Sequence, residues 1–286
     1  MNKIKLRAMA KINLGLDVVK RREDGYHEVR MIMQTIKMYD KITIRKRDDN
    51  EIKVKTNLYY LPTDENNLVY KAAKLILEKY EVGQGVEITL EKFIPVAAGM
   101  AGGSSDAAAV LYGINKIFKL RATKNELMEL GVKIGTDVPY CIMRGTALAE
   151  GIGEKLTPLK AVPKTTILIA KPSFGVSTKF VYENLVLDEN TPHPDIDGII
   201  DSINEGDIYS LSDRIGNVLE TVTAKEYPQI EEIKNIMKQN GALNALMSGS
   251  GPTVFGIFDN KEDANRCKQL LKGKLVKQVF VTETFN

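Results

Sequence analysis

The chain opens on an alternation: Ile4, Leu6, Ala8, Ala10, Ile12, Leu14, Leu16 and Val18 are apolar, and the residues between them are almost all polar. Only a strand, with its side-chain period of two, sorts such a pattern onto two faces, so the chain must build a long strand and the sheet that pairs with it. The opposite face then carries Arg7, Lys11, Asn13 and Asp17 side by side. Asp24-Gly25 closes this element as a turn, and strand-like runs recur at 29–36, 41–45 and 51–55.

From Asn66 the period becomes helical: Leu68, Ala72, Leu75 and Ile76 share one stripe, with Asn66 or Asn67 as the cap. A strand over 86–93 runs into a glycine-rich stretch, and apolar residues three and four apart predict a helix over 104–118. Thr123 to Glu126 fits a capping box and opens a helix that ends at Gly135. After a hairpin-like stretch at Glu150 to Gly153, residues 156–164 carry two prolines and no periodicity, which sets the expected domain boundary: 1–160 and 161–286. Beyond it come a strand at 166–170, helices between 178 and 238, strands near 242–247 and 253–258, a helix at 261–271 and a last strand. The order is that of an α+β protein.

At 286 residues the chain is long enough for one or two packed domains. Lys plus Arg number 40 against 37 Asp plus Glu, and a net charge of +3 argues against a nucleic-acid binder, which needs a basic excess. The two cysteines, Cys141 and Cys267, stand far apart, and the two histidines, His27 and His193, form no cluster with them. Neither a disulfide framework nor a zinc site is expected. No apolar run approaches the roughly 18 residues of a membrane helix, so a soluble, cytoplasmic protein without a membrane partner is expected.

Three glycine-bearing segments carry chemistry. The stretch Pro95, Val96, Ala97, Ala98, Gly99, Met100, Ala101, Gly102, Gly103, Ser104, Ser105, Asp106 joins a strand to a helix through three glycines and two hydroxyls. Glycines let backbone approach a ligand, and N–H groups at a helix start point at an anion, so this reads as a phosphate site; the plain alternative is a tight turn capped by Ser104. The spacing fits neither the P-loop nor the dinucleotide fingerprint. Ser248-Gly249-Ser250-Gly251-Pro252 reads, taken alone, as a hairpin turn. In Gly135-Thr136-Asp137-Val138-Pro139, Asp137 is either a helix cap with Pro139 in the first turn or a carboxylate base for a hydroxyl.

Taken in order, Ala10-Lys11-Ile12-Asn13-Leu14, Asp24-Gly25-Tyr26-His27, the 95–105 loop continuing as Asp106-Ala107-Ala108, the 135–139 segment and the 248–252 segment resemble the GHMP kinases, the superfamily of galactokinase, homoserine kinase, mevalonate kinase and phosphomevalonate kinase. The resemblance runs nearly the whole length. It implies two lobes, an N-terminal one resembling domain 2 of ribosomal protein S5 and a ferredoxin-like C-terminal one, with ATP and Mg2+ used in the cleft between them. It also implies that Lys11 and Asp137 are the catalytic pair, that Asn13 lies beside the substrate, that residues 95–105 hold the ATP phosphates, and that Ser105 touches Mg2+.

The combination Lys-Ile-Asn-Leu, Asp-Gly-Tyr-His and Gly-Gly-Ser-Ser-Asp-Ala-Ala is similar to the members that phosphorylate the 2-hydroxyl of a cytidine-diphosphate-linked methylerythritol, an isoprenoid precursor. That likeness implies that Tyr26 and His27 receive the cytosine, with a second aromatic from the C-terminal lobe: Tyr182, or Phe180. It assigns Gly249 and Ser250 to the phosphate or acceptor side. The expected partner is that small molecule, for a monomer or weak homodimer. The rivals are a homoserine- or mevalonate-type kinase, against which Asp24 to His27 speaks, and a non-catalytic sugar-sensing relative, against which the retained Lys11 and Asp137 speak.

Overall fold

The opening alternation becomes β1 (Lys3–Arg21), which turns back through Asp24-Gly25 into β2 (His27–Lys46) in a computed structural model that describes residues 2–273 and 276–286. Next come β3 (Ile52–Thr56), α1 (Leu68–Lys79), β4 (Val86–Glu91), α2 (Gly102–Phe118), α3 (Lys124–Val132), α4 (Val138–Met143), β5 (Thr146–Glu150) and β6 (Lys155–Pro158). The remainder runs β7 (Thr166–Pro172), α5 (Thr178–Glu183), α6 (Ile196–Glu205), α7 (Ile208–Arg214), β8 (Gly216–Asn217), α8 (Glu220–Glu226), α9 (Gln229–Gln239), β9 (Ala242–Met247), β10 (Val254–Phe258), α10 (Lys261–Leu271) and β11 (Val276–Glu283).

Contacts group the chain into two compact units, residues 1–10, 38–96 and 101–144 in the first and 11–37, 97–100 and 145–286 in the second. They interleave, whereas the division expected from the sequence is a single cut after residue 160. The difference arises because β1 and β2 are long enough to supply residues to both.

In the first unit, β4 runs antiparallel to residues 41–46 of β2 and parallel to β3. The helices α1 and α2 pack on each other, and α2 lies against Ile4, Leu6 and Ile44 of the sheet. Asn67 caps α1, and the capping box at Thr123 and Glu126 opens α3 as the spacing predicts.

In the second unit, β8 pairs in parallel with Gly15 and Leu16 of β1, and β5 pairs with residues 31–34 of β2. A separate four-stranded antiparallel sheet has the order β11-β7-β10-β9. Its chain order, strand, helices, two strands, helix, strand, is the ferredoxin-like βαββαβ arrangement. Ile167, Ile169, Phe255 and Ile257 of the strands and Ile233, Met237, Cys267 and Leu271 of α9 and α10 are all buried, and Met237 lies over Gly256.

Two expectations change. Runs 29–36 and 41–45 are one strand: Asp40, the carboxylate between them, is buried and paired with Lys92 instead of opening a turn to water. The middle of the polar face of β1 is not open to water either, for every residue from Ala8 to Leu16 is buried, while Arg7 at its edge is exposed. No helix among the described residues is long and apolar enough to cross a membrane.

Phe255 is fully buried on a central strand of the four-stranded sheet. Phe255→Ala is expected to lower stability by about 3–5 kcal/mol, read as a lower urea midpoint at unchanged slope.

Candidate active site

In the first unit the glycine-rich stretch leads into α2, whose helix begins at Gly102, two residues earlier than the periodicity predicts. Its N-cap residue is Ala101, left-handed at φ +53°, and no side chain caps it. Ser104 is therefore not the cap. The first-turn N–H groups keep the anion-binding polarity of a helix start without a side chain competing for them.

The Ser104 hydroxyl faces the segment before α4, since a Cβ on Gly135 would stand 3.9 Å from it. Asp137 stands at the N-cap position of α4 with Pro139 in the first turn, as expected, but its carboxylate does not cap the helix. The backbone there is already helical, φ −81° and ψ −14°, so the side chain is not turned back along the axis. Pro95 is buried, while Val96 and Gly103 are exposed.

Ser105, expected beside Mg2+, also makes a structural contact. Its buried hydroxyl donates to the Met9 carbonyl at 2.6 Å, tying α2 to β1. Among the described residues no group of three or more His, Cys, Asp or Glu could hold a metal. The bond to Met9 uses the hydroxyl's hydrogen and leaves its oxygen lone pairs for a cation.

In the second unit Lys11 and Asn13 are both buried, and the Lys11 ammonium donates to Asn13 Oδ1 at 2.7 Å. Asn13 Nδ2 lies 3.6 Å from Met31 Sδ, and the Lys11 N–H donates to the Met100 carbonyl. The polar pair is thereby fixed beside the loop segment 97–100, in which Ala98 and Met100 are buried and Ala97 is exposed with φ +50°.

That segment is crossed by the late glycine motif. Ser248 Oγ donates to the Gly99 carbonyl at 2.9 Å, and a Cβ on Gly99 would stand 2.1 Å from the Ser248 carbonyl oxygen. With φ +71° at Gly99, glycine is required both for conformation and for space. Gly249 also lies against Gly99, and Asn217 Nδ2 donates to the carbonyls of Met247 and Gly249, each at 2.8 Å. Ser248 to Pro252 is thus more than a hairpin turn.

The aromatic residues belong to the same unit. The His27 ring meets Tyr182 on α5 with centroids 5.0 Å apart and planes inclined at 41°. Of the two residues left open by spacing, Tyr182 makes this contact; Phe180 is partly exposed. Burial, then the positive charge of Arg21, pushes the His27 imidazole below its ordinary range and keeps it neutral. Tyr26 is exposed in the turn, its N–H donating to Asp24 Oδ1. The helix bearing Tyr182 is joined to the glycine motif by a 2.8 Å bond between the hydroxyls of Thr178 and Ser250.

The sequence reading missed three residues, Asp40, Lys92 and Asp106, which form a buried ion cluster at the base of the glycine-rich loop. A signal was present. Lys92 continues the inward series Val86, Ile88, Leu90, and Asp40 lies between inward Met38 and Ile42, so each is a charge at an apolar position.

The model for the GHMP kinases N terminal domain matches residues 67–145, and that for GHMP kinases C terminal matches residues 199–276. The chain is 58% identical over 286 residues, all of its own length and 98% of the relative's, to 4-diphosphocytidyl-2-C-methyl-D-erythritol kinase of Lachnoclostridium phytofermentans. It is 51% identical over 281 residues, 98% of each chain, to the enzyme of that name from Caldicellulosiruptor bescii. A crystal structure of 4-(cytidine 5'-diphospho)-2C-methyl-D-erythritol kinase superposes with TM-score 0.85 at 30% identity, covering 99% of this chain and 100% of the other. Homoserine kinase from Cytophaga hutchinsonii shares the fold, with TM-score 0.82 at 20% identity over 99% and 95% of the two chains.

The Gly99 crossing yields a test. Gly99→Ala should leave the fold intact by circular dichroism yet cut phosphoryl transfer at least tenfold, because its added carbon displaces the 248–252 segment; a variant with normal turnover would contradict this.

Proposed function

We propose that this chain, which belongs to the GHMP kinase family and is an ATP-dependent small-molecule kinase, phosphorylates the 2-hydroxyl of 4-diphosphocytidyl-2-C-methyl-D-erythritol, a step in isoprenoid precursor biosynthesis. The observation that carries the choice of acceptor is the His27–Tyr182 ring contact, a neutral imidazole against a phenol. A planar heterocycle such as cytosine can lie on such a surface while a ring nitrogen hydrogen-bonds its edge. Homoserine and mevalonate carry no base to use it.

Phosphoryl transfer asks little covalent chemistry of a protein and much positioning. The N–H groups of the loop and of the first turn of α2 receive the triphosphate. Mg2+ would enter on the triphosphate's own oxygens, neutralising their charge, as is common at nucleotide sites. Lys11, oriented by Asn13, offsets negative charge on the acceptor oxygen and on the transferring group. Asp137 accepts the hydroxyl proton, and the bond from the acceptor oxygen to the γ-phosphorus forms as the bond to the leaving ADP oxygen breaks. Gly249 and Ser250 shape the acceptor side through backbone donors. Residues 95–105 serve ATP, while residues from both sides of position 160, His27 and Tyr182 among them, build the acceptor site.

Phosphorus NMR of the protein with Mg-ATP and, separately, the cytidine substrate, mevalonate and homoserine tests the acceptor. A new phosphomonoester signal is expected in the first tube alone; a signal only in another would overturn the substrate. Lys11→Ala and Asp137→Asn should each lower kcat by at least a hundredfold while ATP affinity stays within about threefold. A variant that changed KM alone would be an anchor rather than a catalyst.

A further inference from the structure

We propose that Asp40, Lys92 and Asp106 form an ionic clasp that closes the base of the glycine-rich loop and fixes where its N–H groups point, which makes Lys92 and Asp106 positioning residues for ATP. This rests on the kinase reading and adds a role that the resemblance did not supply.

The clasp grips both ends of the loop. At its entry, Asp40 Oδ1 accepts the N–H of Phe93 and, at 2.8 Å, that of Ile94, the two residues before Pro95. At its exit, Asp106 lies in the first turns of α2 and accepts a bond from Lys92 Nζ at 2.7 Å. Lys92 also pairs with Asp40, so one ammonium joins the two ends. Residues 95–105 lie between them. The lysine's own backbone is held by Asn57, whose Oδ1 accepts the Lys92 N–H at 2.8 Å and whose Nδ2 donates to the Lys92 carbonyl at 3.2 Å.

The ammonium also sits directly beneath the helix start. A Cβ on Gly102 would stand 3.1 Å from Lys92 Nζ, so glycine at this position gives the charge its place. The side chains of Asp40, Lys92 and Asp106 are 0%, 5% and 3% exposed.

Such a cluster is a poor device for stability alone. Removing ions from water costs several kcal/mol each, and apolar residues of equal volume commonly hold a fold as well. What an ion cluster adds is direction: its groups hydrogen-bond in few geometries, whereas apolar contacts slide. Burial, aided by the Asp40 charge, raises the Asp106 carboxyl well above its usual range, so the cluster holds no net charge when that group keeps its proton. One oxygen of Asp106, Oδ1, has no hydrogen-bond partner, and the bond to Lys92 is carried by the other.

The test compares Asp106→Ala, Asp106→Asn and Lys92→Met in the full-length protein. ATP affinity is read by titration calorimetry, KM for ATP and for the cytidine substrate by kinetics, and folding by thermal melting. Asp106→Ala leaves the Lys92–Asp40 pair whole and is expected to fold, with Kd and KM for ATP raised at least tenfold and KM for the cytidine substrate within twofold of the parent. Asp106→Asn, which keeps shape and an acceptor oxygen, should restore ATP affinity to within about threefold. Lys92→Met should match or exceed the alanine variant.

A folded Asp106→Ala protein with unchanged ATP affinity would overturn the clasp, as would equal rises in KM for both substrates. A parent protein that binds no ATP would instead overturn the kinase reading, and the clasp's role with it.

Discussion

Three charged side chains withdrawn from water set the terms for the first unit. Asp40 comes from β2, Lys92 from the end of β4 and Asp106 from α2, so the cluster joins two strands and the helix in one bonded group. Because an unpaired charge in that environment is so costly, the positions of the three are set by one another. The strand end, the loop and the helix start consequently take their positions from one another, and the uncapped first turn of α2 is held in place without a side chain across its N–H groups. Ser105 adds a neutral tie from the same helix to β1.

The second unit solves a similar problem with backbone. Gly99 and Ser248 meet main chain to main chain, Asn217 braces the crossing through two carbonyls, and Thr178 links it to the helix that carries Tyr182. A continuous series of hydrogen bonds and one covalent segment thus runs from the helix bearing Tyr182 to loop residues 97–100. Beneath it, Glu220 accepts the Met247 N–H and is paired with Lys234 at 2.6 Å, its carboxyl raised by burial.

Much of this was legible in the residues. The period of two gave β1, the caps at Asn67 and Thr123 gave the starts of α1 and α3, and the motif order brought the family's likeness with it. Local pattern could not show that both faces of β1 are buried, since that depends on residues distant in sequence, such as Met100 and Ile196, arriving over Lys11 and Gly15. Nor could spacing separate a capping serine from one bonded to a carbonyl far away, as Ser105 is to Met9. The ion cluster was readable in part: a lysine and an aspartate each stood where alternation demands an apolar residue, although nothing in the sequence says that they meet.

The crossing at Gly99 and Ser248 has a consequence for how this protein is surveyed by mutation. Its working parts are carbonyls, a single serine hydroxyl and the space a missing side chain leaves. Trimming side chains residue by residue passes over such a junction, because there is almost nothing to trim. The changes that expose it add atoms, and the same holds for natural variation: a larger residue at one small position can disable the loop while every polar group around it is kept.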